Sequence, residues 1–157
     1  MVLDKDGPPC SPGCPGHGHF EWYASGAAIG RAGQRAAIEK PDSALGREAA
    51  AGREVTGALV TELGHDGDEV ARAVLAEQGR LLGLGLVGLV NVFNPEVIVI
   101  GGGGIGAGDL LLDPAREVIA TEALPGLRDI VRIVQPRFGA EAGMLGAATL
   151  ALEEFAR

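Results

Sequence analysis

Two cysteines and two histidines lie within one ten-residue stretch of the chain, at Cys10, Cys14, His17 and His19. Thiolate sulfur and imidazole nitrogen are ligands that Zn²⁺ binds in tetrahedral sites. The surrounding residues are rich in Gly and Pro and nearly free of apolar side chains. This composition predicts a loop without a core of its own, which needs a cross-link or a bound metal to hold its shape. The spacing therefore favours a zinc-binding loop over residues 1–19. By spacing alone, an ordinary surface loop with two thiols stays open, because no second distal ligand pair follows.

Two further features could bind ligands. Glu21 follows His19 by two residues, at the start of a predicted helix, where a carboxylate complements the helix dipole. From the residues alone, that structural role is the simpler one for Glu21. The second feature is a glycine tract directly after a β-branched run, where the backbone lets a nucleotide approach the end of a strand. This tract matches neither the dinucleotide fingerprint nor the Walker loop, and it consists of Gly101, Gly102, Gly103 and Gly104.

Hydrophobic spacing and helix-capping signals indicate the elements that would position these residues. We predict helices over residues 20–40, 55–63, 68–93, 113–122 and 140–154, and strands over residues 97–100 and 130–134. The continuous β-branched run of the first strand is typical of a strand covered on both faces of a parallel sheet. The second half of the helix over residues 68–93 is apolar all round, which predicts burial. Two of the predicted helices contain glycines that predict close packing against a neighbouring element, at positions 83, 85, 88, 143 and 146.

The order of helices and strands indicates an α/β layer architecture, in which two strands are too few for a self-sufficient sheet. Acidic residues outnumber basic ones by 21 to 13, giving a formal net charge of −8. This balance argues against a nucleic-acid partner and against attachment to anionic membranes. The longest apolar run, residues 81–93, is shorter than the roughly 18 residues of a membrane span, and no signal peptide is recognisable. We therefore expect a cytoplasmic protein without a disulfide.

Several tracts together resemble the ROK family of repressors, open reading frames and sugar kinases. The first runs from Asp6-Gly-Pro-Pro-Cys10 through Cys14-Pro to His19-Phe-Glu21-Trp-Tyr-Ala-Ser-Gly. Later tracts agree in order and spacing: Gly67-Asp68, Asn94-Pro-Glu-Val-Ile-Val-Ile-Gly-Gly-Gly, Gly108-Asp-Leu-Leu-Leu-Asp-Pro and Ala142-Gly-Met-Leu-Gly-Ala-Ala. The resemblance covers essentially the whole chain, but only about the C-terminal half of a family member.

The resemblance implies a two-lobed actin-like (ribonuclease H-like) ATPase fold. Residues 20–157 would then form an incomplete, helix-rich C-terminal lobe whose first strands are missing. Enzymes of the family transfer the γ-phosphate of ATP, with Mg²⁺, to a hexose hydroxyl, most often O6 of glucose. The resemblance therefore implies a hexose and ATP as ligands, and a homodimer as the usual assembly.

The resemblance also assigns roles to individual residues. Cys10, Cys14 and His19 match zinc ligands of members with a Cys-x3-Cys loop. The family's fourth ligand is a His in a Glu-x-Gly-His motif, which directly precedes the segment matching Met1. Within this chain, His17 is the possible substitute, although its short separation from His19 strains a common tetrahedral site.

The sugar and nucleotide positions are matched as well. Glu21 matches the carboxylate that hydrogen-bonds sugar hydroxyls, which reverses the interpretation made from that residue alone. Residues 101–104 match the loop that holds the adenosine end of ATP.

Several kinase motifs of the family do not occur in the 157 residues: the Asp-x-Gly-Gly-Thr phosphate loop, the Asn-Asp pair with the general base and a second phosphate loop. The family's Glu-x-Gly-His motif likewise does not occur at its place ahead of the zinc loop within these residues. Phosphoryl transfer depends on positioning and on charge stabilisation at the phosphates. We therefore expect the C-terminal fragment of a glucokinase-type enzyme, without catalytic residues of its own and inactive alone. The alternatives are the effector-binding half of a sugar-responsive ROK repressor, and a standalone module kept for association.

Overall fold

The computed structural model describes residues 1–10 and 13–155 of the chain. Its elements, in chain order, are α1 (Phe20–Tyr23), α2 (Gly26–Glu39), α3 (Ala44–Ala50), α4 (Gly57–His65), α5 (Glu69–Phe93), β1 (Val97–Val99), α6 (Asp109–Glu122), β2 (Arg132–Val134) and α7 (Ala142–Phe155). Short 3₁₀ turns lie at Ile105–Ala107 and Gly139–Glu141. The α/β order predicted from the sequence is confirmed.

The long helix α5 is the central element of the core and packs against α1, α2, α3, α4 and α6. Asp68 caps it, since its Oδ1 accepts a hydrogen bond of 2.7 Å from the Ala71 amide. The helix ends where Asn94 adopts a left-handed conformation ahead of Pro95. The predicted helix over residues 68–93 is confirmed. Its second half is buried on one side only, because Leu84, Val92 and Phe93 are exposed.

By length and composition alone, α5 could cross a membrane. It has 25 residues and a mean hydropathy of 1.4 in its most apolar window, of which 44% is buried inside the protein. The apolar segment of this helix is therefore longer than the run predicted from the sequence. A buried core helix has the same properties, and α5 packs against five other helices of this structure.

Close packing of α5 depends on its glycines. A Cβ on Gly79 would overlap the carbonyl oxygen of Leu111 in α6, and one on Gly83 would lie 2.8 Å from the carbonyl oxygen of Ala115. Gly85 leaves room for the ring of Phe20 on α1 in the same way. These positions confirm the predicted role of residues 83 and 85. Gly88 does not share that role, since its nearest neighbour would be the Met1 sulfur at 3.8 Å.

The helix predicted over residues 20–40 is wrong as one element, because it breaks between α1 and α2. Ala24 leaves the helical conformation, and the Ser25 side chain accepts a hydrogen bond of 3.2 Å from the Ala28 amide, so that a new helix begins there. Helix α3 was not predicted either, because its short Ala-rich segment has no apolar periodicity. Its signal was Ser43, which caps it through the Gly46 amide.

The strands β1 and β2 pair in parallel, with Val97 opposite Arg132 and Val99 opposite Val134. The prediction that both faces of β1 are covered is wrong, since Val97 and Val99 are exposed. Within the described residues the sheet has two strands, too few to cover both faces of β1.

The helices after β1 also differ from their prediction. α6 begins at Asp109 and encloses Pro114, because Gly108 adopts a positive φ and turns the chain into the helix one turn early. α7 has no buried residue among those described, and Gly143 and Gly146 face open space. The prediction that these two glycines serve close packing is therefore wrong for the described part of the chain.

The close contact of α5 with α6 at Gly79 and Gly83 predicts opposite effects for two matched substitutions. Gly79→Ala should lower the free energy of unfolding by about 1–3 kcal/mol, because its methyl group overlaps the backbone of α6. Gly88→Ala, in the same helix, should raise it by about 0.5–1 kcal/mol through helix propensity alone. Urea unfolding followed by circular dichroism measures both. Equal effects of the two substitutions would contradict this packing.

Candidate functional site

The described residues of the N-terminal loop, 1–10 and 13–19, fold back on one another and form two isolated antiparallel bridges. One bridge joins Pro9 to His17, and the other joins Val2 to His19. The Cys10 amide donates a hydrogen bond of 2.9 Å to the Gly16 carbonyl, which joins Cys10 to the residues just before His17. The loop therefore brings residues from both of its ends to one place.

Three of the predicted ligands come together in this loop. The ligand atoms of Cys10, Cys14 and His19 lie within 4.8 Å of one another, and the Cys14 sulfur is 3.4 Å from Nδ1 of His19. All three side chains are half-buried. His17 is exposed and does not belong to this group. Two thiols and one imidazole are soft to borderline donors, so the group fits a metal of the zinc type with one position left for a further ligand.

Glycines allow the loop to close. Gly18 has a φ of +56°, and a Cβ there would overlap the carbonyl oxygen of Asp4. The Leu3 amide donates a hydrogen bond of 2.8 Å to the Gly18 carbonyl. On the other side, the Tyr23 hydroxyl of α1 lies 3.4 Å from the Asp4 carboxylate. Desolvation, and after it the charge and hydrogen bonding of Asp4, raises the pKa of Tyr23.

Glu21 stands in the first turn of α1, and its side chain is exposed. It lines a small cleft of about 100 Å³ next to the metal-ligand group. The other residues of this cleft, called the Glu21 cleft below, are Cys10, Trp22, Ser25, Ala27 and Arg31. A ligand held by the Glu21 carboxylate would therefore lie beside the metal loop.

Arg31 fixes the short helix that carries Glu21. Its guanidinium donates a hydrogen bond of 2.7 Å to the Trp22 carbonyl and lies 4.0 Å from the centroid of the Trp22 ring. α1 has a single turn and no side-chain cap, so contacts from outside must orient it. Sequence reasoning missed this residue, because a cation–π contact between neighbouring helices leaves no spacing signal.

Residues 101–104 line a second cleft, of about 220 Å³, which we call the glycine cleft. Its walls come from α2, α5 and α6, and include Ser25, Gly26, Ile29, Gln78, Leu82 and Leu111. A Cβ on Gly26 would lie 3.4 Å from the Gly103 carbonyl carbon, so that the start of α2 packs directly on the tract. Gly102 has a positive φ and open space around it. The backbone of the tract is thus accessible at the carboxyl end of β1, as expected for a nucleotide contact.

The two clefts meet at Ser25, which lines both. This residue also caps α2. Sequence reasoning placed Ser25 inside a continuous helix and so missed it, although a serine ahead of a glycine-alanine run is a capping signal. The structure therefore brings the Glu21 cleft and the glycine cleft side by side.

The sequence profile described as the ROK family matches residues 1–154 of the chain. The chain is 34% identical over 147 residues to the glucokinase of Streptomyces coelicolor, in an alignment that covers 90% of this chain and 46% of that protein. The chain belongs to the ROK family. It spans about half the length of the curated glucokinases that it matches.

Solved structures agree with this assignment. A ROK family glucokinase from Streptomyces griseus, in complex with glucose and AMPPNP, superposes with a TM-score of 0.83 at 32% identity, covering 96% of this chain and 49% of that one. A ROK family transcriptional regulator, described as a homologue of the E. coli MLC protein, superposes with a TM-score of 0.79 at 30% identity, covering 94% and 36%. The fold is the helix-rich α/β fold of ROK sugar kinases, an actin-like ATPase fold, and the predicted fold class is confirmed.

The contact of Arg31 with Trp22 gives a prediction on the orientation of α1. Arg31→Ala should lower the free energy of unfolding by about 1–3 kcal/mol, through loss of a cation–π contact and a charged hydrogen bond. It should also shift the fluorescence emission of Trp22, the single tryptophan, to longer wavelength, because the ring loses the guanidinium that lies over it and becomes more exposed to water. Arg35→Ala is the matched control, since Arg35 is exposed on the same helix. An unchanged emission maximum in the Arg31 variant would contradict this role.

Proposed function

We propose that this chain supplies the sugar-binding carboxylate and the adenosine-binding backbone of an ATP-dependent sugar kinase of the glucokinase type. The observation that carries the proposal is the junction of the two clefts at Ser25. A hexose held near Glu21 and the adenosine end of a nucleotide held at residues 101–104 would lie in neighbouring clefts, so that the phosphate chain could extend toward the sugar hydroxyl for in-line transfer. Support comes from the glucokinase relatives and from the similar structure solved with glucose and AMPPNP.

Each residue has a role in this proposal. Glu21 would accept hydrogen bonds from sugar hydroxyls and so orient the ring. The glycine tract would receive the adenosine end of ATP, since its backbone has no side chains to exclude the ligand. The general base and the phosphate loops with their Mg²⁺ would come from sequence outside these 157 residues, because the corresponding motifs do not occur here. Catalysis by the chain alone is therefore not expected.

The metal in the loop would be structural Zn²⁺, bound by Cys10, Cys14 and His19. When bound, zinc would hold the two cysteines and the histidine together and so fix the loop beside α1. Cys10 belongs both to this group and to the lining of the Glu21 cleft, so the loop directly shapes the sugar side of the site. A cytoplasmic location and a homodimer remain predictions.

A ROK repressor is the second candidate, because the regulator homologous to MLC superposes almost as well as the glucokinase. In that case the Glu21 cleft would bind a sugar effector and the glycine cleft would have no nucleotide. Titration of the chain with AMPPNP distinguishes the two. Binding at the glycine cleft supports the kinase, whereas sugar binding without nucleotide binding favours the repressor.

The metal assignment predicts which variants lose zinc. Cys14→Ser and His19→Ala should each weaken zinc binding by at least about tenfold, because a direct ligand is lost and even outer-shell losses cost about 10–100-fold. Competition with a chromogenic chelator measures the affinity. His65→Ala is the control, and His17→Ala shows whether that residue completes the site. If the Cys14→Ser and His65→Ala variants bind zinc with equal affinity, the loop is not the zinc site.

The role of Glu21 predicts a sugar response of Trp22, which lines the same cleft. Glucose should change the fluorescence of the zinc-loaded chain in a saturable manner. Glu21→Gln should weaken this binding by about tenfold or more, since hydrogen bonds to a charged acceptor are worth about 1.5–3 kcal/mol. Glu117→Gln, an exposed carboxylate on α6, should leave it unchanged. If both variants bind glucose as the parent chain does, Glu21 is not the sugar ligand.

A further inference from the structure

Gln78 is a polar side chain in the apolar core. It lies on α5 and is 5% exposed. Its amide oxygen Oε1 is fully buried and has no hydrogen-bond partner among the residues that the structure describes. An unpaired buried carbonyl is costly, so a protein that keeps one has a structural reason, an ordered water or a ligand for it.

The position of Gln78 points to a ligand. Gln78 lines the glycine cleft together with apolar side chains, of which Ile29, Leu82 and Leu111 come from three different helices. Gln78 also lines a groove between α2 and α5, to which Arg35 belongs as well. Among the described residues, none forms a hydrogen bond with the Gln78 oxygen, and this includes Arg35. A cleft with apolar walls and an unpaired amide oxygen fits a flat ring that carries a polar substituent at its edge.

The chemistry of the amide narrows the ligand further. A carbonyl oxygen accepts a hydrogen bond, so the missing partner is a donor. Adenine, guanine and cytosine all carry an exocyclic amino group that can be this donor. Glutamine is a side chain that pairs with adenine, at N6 and N7, and ATP is the nucleotide of the proposed function. The glycine backbone on the other side of the cleft leaves space for the rest of the nucleoside, since a Cβ on Gly102 or Gly103 would meet no described atom within 4 Å.

We propose that Gln78 determines the base specificity of the glycine cleft, by accepting a hydrogen bond from the exocyclic amino group of adenine. This inference rests on the proposed nucleotide site and adds the residue that distinguishes bases within it. The apolar walls bind the faces of the ring, and Gln78 binds its edge.

Isothermal titration calorimetry of the chain with two nucleosides tests the proposal. Adenosine carries the amino group, and purine riboside is the same nucleoside without it. Adenosine should bind about five- to tenfold more tightly, which corresponds to one hydrogen bond to a buried acceptor. In Gln78→Leu the preference should disappear, with adenosine binding reduced to the level of purine riboside. Gln34→Leu, an exposed glutamine of α2, should keep the preference.

Thermal unfolding of the ligand-free variants gives an independent readout. If the Gln78 oxygen is unpaired without a ligand, Gln78→Leu should unfold at a temperature equal to or above that of the parent chain. A large loss of stability would show a structural hydrogen bond and overturn the proposal. Gln78→Met serves as a second apolar variant, and the comparison of the two nucleosides on the parent chain needs no variant.

The outcomes separate this inference from the proposed function. Equal affinity of the parent chain for both nucleosides overturns the role of Gln78 and leaves the nucleotide site intact. If neither nucleoside binds, both the inference and the nucleotide site are wrong. A preference for adenosine that persists in Gln78→Leu assigns base recognition to another group and also overturns the inference.

Discussion

The first turn of α2 is the constraint on which both clefts depend. It lies between two other backbone segments, with the Gly26 carbonyl oxygen in the space that a Cβ on Gly57 would fill and the Gly103 backbone on its other side. No side chain could be inserted at Gly57 without moving one of these backbone segments. Because this contact sets where α2 begins, it also sets the place of Ser25, at which the Glu21 cleft and the glycine cleft meet.

The metal loop extends the same kind of backbone packing to the N-terminal part of the chain. Gly7 and Gly18 lie so close together that a Cβ on Gly7 would be 2.6 Å from the Gly18 Cα. Asp4 occupies the remaining side of Gly18. The loop can therefore reach α1 at Cys10, while Arg31 holds α1 from the side of α2. Glu21 is thus positioned by a loop and by a neighbouring helix, and hardly by its own single-turn helix.

Local patterns in the sequence predicted the elements that have strong periodicity or special residues. The spacing of Cys10, Cys14 and His19 indicated a cluster that the structure forms, and β-branched residues indicated the parallel strands. Features set by tertiary contacts could not be predicted. The unpaired oxygen of Gln78 has no local signal in the sequence, because it depends on the residues that α2 and α6 place around α5. The exposure of Val99 has none either, because it depends on how many strands the sheet has. Within the described residues the sheet has two strands, in a chain about half as long as its relatives.

In the proposed site, a sugar and a nucleotide would lie in adjoining clefts on either side of Ser25. The most direct measurement is a map of amide shifts in ¹H–¹⁵N spectra of the zinc-loaded chain, titrated separately with glucose and with AMPPNP. Glucose should shift the amides around Glu21, AMPPNP should shift those of residues 101–104, and Ser25 should respond to both. Shifts at distant surfaces, or a Ser25 amide that responds to neither ligand, would show that the two clefts do not hold these ligands side by side.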